Sequence, residues 1–328
     1  MLLNYIVRRT LWAIPFMFAA SIVAFALITL PPGDYVTTFA QTLSQSGDVV
    51  DQGRLDALRE RYGLDQPFII QYFRWIGGVL QGDFGISFEW QQPVSTLIWE
   101  RLGLSFMLEI STLIFAWSVA LPIGIYSAVK KYSLGDYVAS VIGFVGLAVP
   151  NFLIALVLMY IAVVYFGSDV SGLFSPPFRD APWSWAKFLD LLGHMWIPVI
   201  ILGTSTVAGL IRIMRANLLD ELNKPYVTTA RAKGLDEFHL IIKYPVRLAL
   251  NPFVSTIGWA FPQLISGAVI TAYVLSLPTS GPLLLQALLA QDMYLAGAFI
   301  LLLCCFSILG MLVSDILLAL VDPRIRFR

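Results

Sequence analysis

Six stretches of this chain are apolar enough, over enough residues, to cross a lipid bilayer as helices, and no other feature constrains the fold as tightly. A hydrocarbon core about 30 Å thick needs about 20 residues rising 1.5 Å each. Inside it only a helix or a closed barrel satisfies every backbone N–H and C=O. The stretches are residues 11–30, 103–129, 137–166, 195–211, 252–277 and 294–321. Within them the only acidic residues are Glu109 and Asp315, and there is no Lys or Arg. Composition agrees: 58% of residues are hydrophobic and 13% charged, against about 25% charged in a soluble domain. The expectation is an all-α integral membrane protein with six transmembrane helices.

The first stretch follows Arg8 and Arg9 but is too long for a signal-peptide core. Pro31-Pro32-Gly33 follows it in place of a small-residue cleavage site, so it reads as a retained helix. With the N-terminus placed inside, fourteen of the 21 Lys and Arg residues fall in inner segments and seven in outer ones. Inner segments collect Lys and Arg, so both termini are expected in the cytoplasm. Lys plus Arg and Asp plus Glu both total 21, which leaves no overall basic field to hold nucleic acid.

The outer segments carry patterns of their own. Residues 31–102 separate the first two spans. Within them 53–63 has Leu55, Leu58 and Tyr62 at helical spacing, and the run after Pro67 reads as a short amphipathic helix. Its Tyr72, Phe73 and Trp75 suit an interfacial aromatic belt. Residues 276–293 read as a turn followed by a short re-entrant or interfacial helix. Pro122, Pro150, Pro198 and Pro262 lie in spans, where proline can kink a helix.

One insert is charged. In residues 226–250, YVTTARAKGLDEFHLIIKYPVRLAL, charges of both signs interleave between two apolar spans. A membrane-surface anchor would be mostly basic. Asn223 can cap a helix with Pro225 in its first turn. Leu219, Leu222, Tyr226 and Ala230 form one stripe. Gly234 is placed to end that helix with positive φ. Asp236 can cap a second helix, on which Leu235, Phe238, Ile241 and Ile242 form another stripe, and Pro245 ends it. The pattern is helix, glycine turn, helix, which fits a protein-docking element or an ordinary loop between spans.

Little speaks for catalysis. No HExxH or GxSxG constellation is present and no GxxxxGK[ST] phosphate loop. His194 and His239 are far apart, and the adjacent Cys304 and Cys305 point about 100° apart on a helix, so no metal site or disulfide is expected. A membrane enzyme lacks its chemistry, and a proton-driven secondary transporter would carry more ionisable groups at mid-membrane.

Several motifs, in order, resemble one family. TARAKGL at 229–235, with Thr228-Thr229-Ala230 three residues ahead of Gly234, is similar to the cytoplasmic signature loop of bacterial ABC-importer permease subunits. The segment RYGLDQPFIIQYFRWIGGVLQGDFGISF (61–88), LPIGIYSA (121–128) and DPRIR (322–326) resemble the dipeptide/oligopeptide branch, and the long first outer segment resembles its B-type subunit. The resemblance implies a type I ABC importer permease fold in the bacterial inner membrane, not an enzyme itself. Its partners would be a second homologous permease subunit, two ATP-binding subunits that use ATP and Mg, and a periplasmic or lipid-anchored substrate-binding protein, among membrane lipids. It implies an N-terminal span (1–30), an outer segment (31–102) and a permease core (103–328) with a coupling loop at 219–249. It assigns ATPase coupling to Thr228, Thr229, Ala230, Arg231, Lys233, Gly234, Leu235 and Asp236. The family often has Pro-Gly-x-Gly and Arg-Asp-Tyr-Pro after the fifth span; here the stretch reads LPTSGPLLLQALLAQDMY. The solute is therefore expected to be a peptide or, as in relatives, an oligosaccharide or another small solute. Glu109 lies about two turns from the outer end of its span and Asp315 is similarly near the inner end, which favours hydrogen bonds to neighbouring helices or a partner over substrate contact.

Overall fold

Each apolar stretch becomes helix, but not always one helix. The computed structural model describes residues 2–29, 36–37, 40, 52–62, 65–167, 171–266 and 268–321. In chain order the helices are α1 (Leu2–Thr29), α2 (Gln52–Tyr62), α3 (Phe68–Leu80), α4 (Val94–Val129), α5 (Leu134–Ala148), α6 (Asn151–Phe166), α7 (Trp185–Leu222), α8 (Pro225–Ala232), α9 (Glu237–Lys243), α10 (Pro245–Ala249), α11 (Asn251–Ser266), α12 (Val269–Val274), α13 (Ser280–Leu289) and α14 (Met293–Val321). Among the described residues α1, α4, α7 and α14 are each long and apolar enough to cross a membrane, and α5 with α6 makes a fifth candidate if the bent pair counts as one span.

Two of the expected spans are interrupted. The third bends by 96° between α5 and α6. Pro150 is the cause: the residue before a proline is driven out of the helical region, and Val149 adopts φ −89 and ψ 121. The fifth is not one helix through 277. It divides into 16-residue α11 and six-residue α12, with Ala268 at φ −86 and ψ 73. Pro122 and Pro198 sit inside α4 and α7 without ending them.

The core is built on α4 and α7. With 36 and 38 residues they are about 54 and 57 Å long at 1.5 Å per residue, well beyond the hydrocarbon thickness. They pack through small residues. Ala116, Ala120, Gly124 and Ala128 recur every fourth residue on α4 and are buried. Their partners on α7 include Leu210, Ile211, Met214 and Leu218. A β-carbon at Gly124 would sit 2.7 Å from Met214 Cβ, so only glycine permits this approach. Small residues every fourth position let helix backbones close in where lipid provides no hydrophobic drive. The apolar side chains left exposed on α1, α5 and α6, among them Trp12, Phe16, Val141, Tyr165 and Phe166, suit contact with lipid.

The end away from the charged insert is ordered by specific contacts. Helix α3 lies against α1: Ser21 Oγ and Tyr72 OH are 2.8 Å apart, and Phe25 stacks on Trp75 with ring centroids 5.4 Å apart. Tyr72 and Trp75 are therefore buried, and of the three aromatics expected in an interfacial belt only Phe73 is exposed. An aromatic residue one turn from another serves whichever neighbour the helix meets, and here that neighbour is α1. Asp292, fully buried just before α14, accepts from Ser87 Oγ at 2.5 Å, Glu89 N at 3.2 Å and Leu295 N at 3.2 Å. It ties the turn closed by the Ile86–Pro93 bridge to the start of the last span. Burial pushes its carboxyl above the ordinary range. The expected short helix after the turn at 276–279 is α13, packed against α4 and α14.

Candidate functional site

The charged insert forms because α7 stops cleanly. Asn223 ends α7, its Nδ2 donating to Leu219 O at 2.9 Å. It does not cap the next helix, as its residue type had led us to expect. Pro225 takes the first helical position of α8 and drives the preceding residue extended, so Lys224 is the cap residue, with φ −74 and ψ 148.

The first stripe is as expected. Leu219, Leu222, Tyr226 and Ala230 pack on the core at the base of α4 and α7, around buried Val227. Tyr226 OH donates to Glu221 Oε2 at 2.6 Å; burial and this bond raise the phenol above its usual range. The turn follows: Gly234 has φ +76, a region that L side chains enter only with strain, and its surroundings are open. Asp236 caps α9, Oδ2 accepting from His239 N at 3.2 Å. Arg231 spans the turn, donating from Nε to Glu237 Oε2 at 3.0 Å and from Nη2 to Oε1 at 2.5 Å. That bond holds the Glu237 carboxyl below its ordinary range, and the hydrogen bonds from His239 do the same for Asp236.

The second stripe is not a single face. Leu240 and Ile241 are buried, whereas Leu235, Phe238 and Ile242 are 42%, 71% and 44% exposed. Positions 235, 238 and 242 follow the i, i+3, i+7 spacing of their own stripe, so the seven-residue α9 shows one apolar face inward and another outward. Of the eight residues assigned to coupling, seven are exposed; Ala230 is half-buried. The structure thus gathers them on one tip, with the outward apolar side chains of Phe238 and Ile242 beside Leu235.

Beneath the tip lies an ion pair that the sequence reading missed. Asp136, in the first turn of α5, is buried and accepts from Arg215 Nε at 2.7 Å and Nη2 at 2.9 Å. It also accepts from Tyr132 N at 2.8 Å and from Ser127 Oγ. One carboxylate therefore joins the end of α4, the start of α5 and the lower part of α7. Arg215, counted among the inner cations, is a structural partner. The only sequence signal was a lone aspartate opening a span a few residues after Lys130 and Lys131.

A second site lies deeper. A cavity of about 300 Å³ is bounded by α4, α7, α11 and α12, and Glu109, Asn151, Thr256 and Gln263 are among its lining residues. Glu109 faces this space and has no hydrogen bond or ion pair among the described residues, so the expected bond to a neighbouring helix of this chain is not found. Asp315 is half-buried on α14 and is not among the lining residues. A wider cavity of about 860 Å³ opens at the end away from the tip, lined by Glu100, Arg101, Arg179 and Asp180. Its wall is fixed by buried Lys187, whose Nζ donates to Ala181 O at 2.6 Å and Arg179 O at 3.3 Å and lies 4.8 Å from the Phe174 ring centroid.

The family model "Binding-protein-dependent transport system inner membrane component" matches residues 120–327, and its N-terminal companion model matches 2–109. The chain is 34% identical over 324 residues to the oligopeptide transport system permease protein AppB of Bacillus subtilis (strain 168), covering 98% of this chain and 99% of that one. It is 33% identical over 343 residues to the dipeptide transport system permease protein DppB of Escherichia coli (strain K12), with both chains fully covered. It is 30% identical over 327 residues to the glutathione transport system permease protein GsiC of Escherichia coli (strain K12), again over the whole of both.

Proposed function

The chain belongs to the family of binding-protein-dependent transport system inner membrane components, a multi-pass permease subunit of an ABC importer, and on that premise we propose that it carries short peptides. Its relatives are named for oligopeptide, dipeptide and glutathione transport. The observation that carries the coupling part of this reading is the tip. Its exposed apolar face and its Gly234 turn stand on a helix that runs unbroken from the insert through the bundle.

The permease core, residues 103–328, forms half of the path, and a second homologous permease subunit forms the other half. Two ATP-binding subunits sit under the tip and bind the ATP and Mg, with both termini on their side of the membrane. A substrate-binding protein delivers the solute at the opposite end, where residues 31–102 stand. When the ATP-binding subunits close, a cleft gripping Thr228, Thr229, Ala230, Arg231, Lys233, Gly234, Leu235 and Asp236 moves α8 and α9 as one body. Leu218, Leu219 and Leu222 pass the motion into α7. The small-residue seam carries it to α4, and the Asp136–Arg215 pair carries it to α5. Of these helices α4 and α7 border the cavity, at Glu109 and Ser205, so displacement at the tip repositions its walls, as alternating access requires.

The test is purification from the native membrane in mild detergent, followed by mass spectrometry, ATP hydrolysis and peptide uptake in proteoliposomes. Recovery of a second permease and ATP-binding subunits, with hydrolysis stimulated by the binding protein, is the expected result. A chain that emerges alone, with no ATP-binding subunit after crosslinking from 229–235, overturns the coupling role. A binding protein that captures saccharides and no peptide overturns the substrate.

A further inference from the structure

The cavity lined by Glu109 lies where two interrupted helices meet. Asn151 opens α6 immediately after the Pro150 bend, and Ala268 and Val269 stand at the break between α11 and α12; all three line the cavity together with Glu109. Irregular backbone at membrane depth is tolerated where it borders a polar space, and transporter substrate sites are built at such discontinuities. Glu109 is the only ionisable side chain among the described lining residues.

Several polar groups of the walls can only accept a hydrogen bond. Thr112 and Thr256 donate their hydroxyl protons to the backbone carbonyls of Leu108 and Phe253 at 2.8 and 2.6 Å. A hydroxyl whose proton is so used offers only oxygen lone pairs. Asn151 Nδ2 donates to Ser205 Oγ at 3.2 Å, and Asn151 Oδ1 is buried with no hydrogen-bond partner. The space therefore offers acceptors at Thr112, Thr256 and Asn151 beside a carboxylate with no partner among the described residues, and a side-chain donor at Gln263. Such a surface is matched by a compact cation with several N–H donors. An ammonium group has three and accepts none.

Building on the peptide reading above, we propose that Glu109 is a substrate-binding residue whose carboxylate receives the ammonium group of the solute partway along the path. In a short peptide that group is the free amino terminus or a lysine side chain. A carboxylate held at membrane depth without a partner in its own chain is costly, and a cationic substrate offsets that cost only while it is present. The contact thus favours entry from the delivering protein and is lost when the walls move apart.

The test uses the full importer with its binding protein in proteoliposomes, with labelled trialanine as probe. Glu109→Gln keeps size and hydrogen bonding but removes the charge; Glu109→Asp keeps the charge. The expected result is a fall in trialanine import of at least about ten-fold for Glu109→Gln, the low end for losing a hydrogen bond to a charged group. Glu109→Asp recovers most of that import, and both variants retain all subunits and binding-protein-stimulated ATP hydrolysis. N-acetylated peptides with and without lysine define the group received: loss of the sensitivity when trialanine is acetylated supports the free amino terminus, its return in an acetylated peptide with lysine adds the lysine ammonium, and sensitivity that persists in an acetylated peptide without lysine overturns the proposal. Import by Glu109→Gln at the wild-type rate overturns it. So does loss of the second permease subunit from the purified variant, which makes the carboxylate a subunit contact. Failure of the underlying reading shows elsewhere: the wild-type importer itself would then import no trialanine.

Discussion

Two arginine–carboxylate pairs stand at the same end of the molecule and serve opposite ends. Both are two-pronged, Arg215 on Asp136 and Arg231 on Glu237. At the base of the bundle the Asp136 side chain is 3% exposed and three helices converge on it. At the tip both partners are about half exposed and join two short helices that are neighbours in sequence. A buried pair whose partner is removed leaves an uncompensated charge, whereas an exposed pair trades its contacts for water. The base is thus a fixed mount for the tip, and the tip is a surface shaped for something else to grip.

The sharpest way to break this comparison is at the base. Asp136→Asn should destabilise the chain by about 3 kcal/mol, the low end for breaking a buried pair, because the Arg215 side chain keeps 27% exposure to solvent. The thermal unfolding midpoint of the purified importer measures it. If Asp136→Asn melts with wild type, the pair is not a mount. Gly234→Val comes next and should act differently. A β-branched residue at φ +76 strains the turn by about 1–2 kcal/mol, a small loss of stability. Because the turn sets the angle between α8 and α9, ATP-driven uptake should nonetheless fall by more than half. Uptake that stays at the wild-type level in Gly234→Val would remove the tip from the coupling route.

Phe238→Ser sharpens the contrast further. With 71% of Phe238 in solvent, its removal takes almost no core contact from this chain, so the melting temperature of the isolated permease should not change. Binding of the ATP-binding subunits should weaken several-fold, because a large exposed apolar side chain beside a docking surface is the type of residue that buries on association. Titration of the detergent-solubilised permease with purified ATP-binding subunit checks it. An unchanged affinity would place the docking face on α8 alone.

The tip was legible in the sequence because its determinants are local. Pro225, Gly234 and Asp236 act within four residues of themselves through φ preference and capping. Even there, two details depended on neighbours. The cap moved from Asn223 to Lys224 because α7 used the asparagine, and the stripe at 235–242 divided because only one side of α9 met the core. The base was not legible: Asp136 and Arg215 lie 79 residues apart, and each alone reads as a surface charge near a membrane boundary. Apolar runs revealed the spans but not their continuity. Pro122, Pro150 and Pro198 look alike in sequence, yet only Pro150 ends its helix, since a kink depends on whether neighbouring helices hold the two halves in line. The four-residue repeat of small residues on α4 was in plain view, and its meaning emerged only with Met214 facing Gly124.

The smallest expected effect lies at the exposed pair. The Glu237 carboxyl is held below its ordinary range by Arg231, so any stability it contributes is present above the ordinary carboxylate range and is lost as pH falls through the lowered value. Both groups are about half exposed, and solvent screens the attraction. Arg231→Gln should therefore melt with wild type at neutral pH, and acidification should narrow no gap because none exists. Uptake should fall modestly at most, since the Gly234 turn and the Asp236 cap still set the geometry. Melting curves of both proteins at neutral pH and at pH about 4, near the ordinary glutamate value, decide it. A clear stabilisation at neutral pH that disappears in acid would mean that the tip, too, is braced by charge, and the division between a charged mount and a shaped tip would fail.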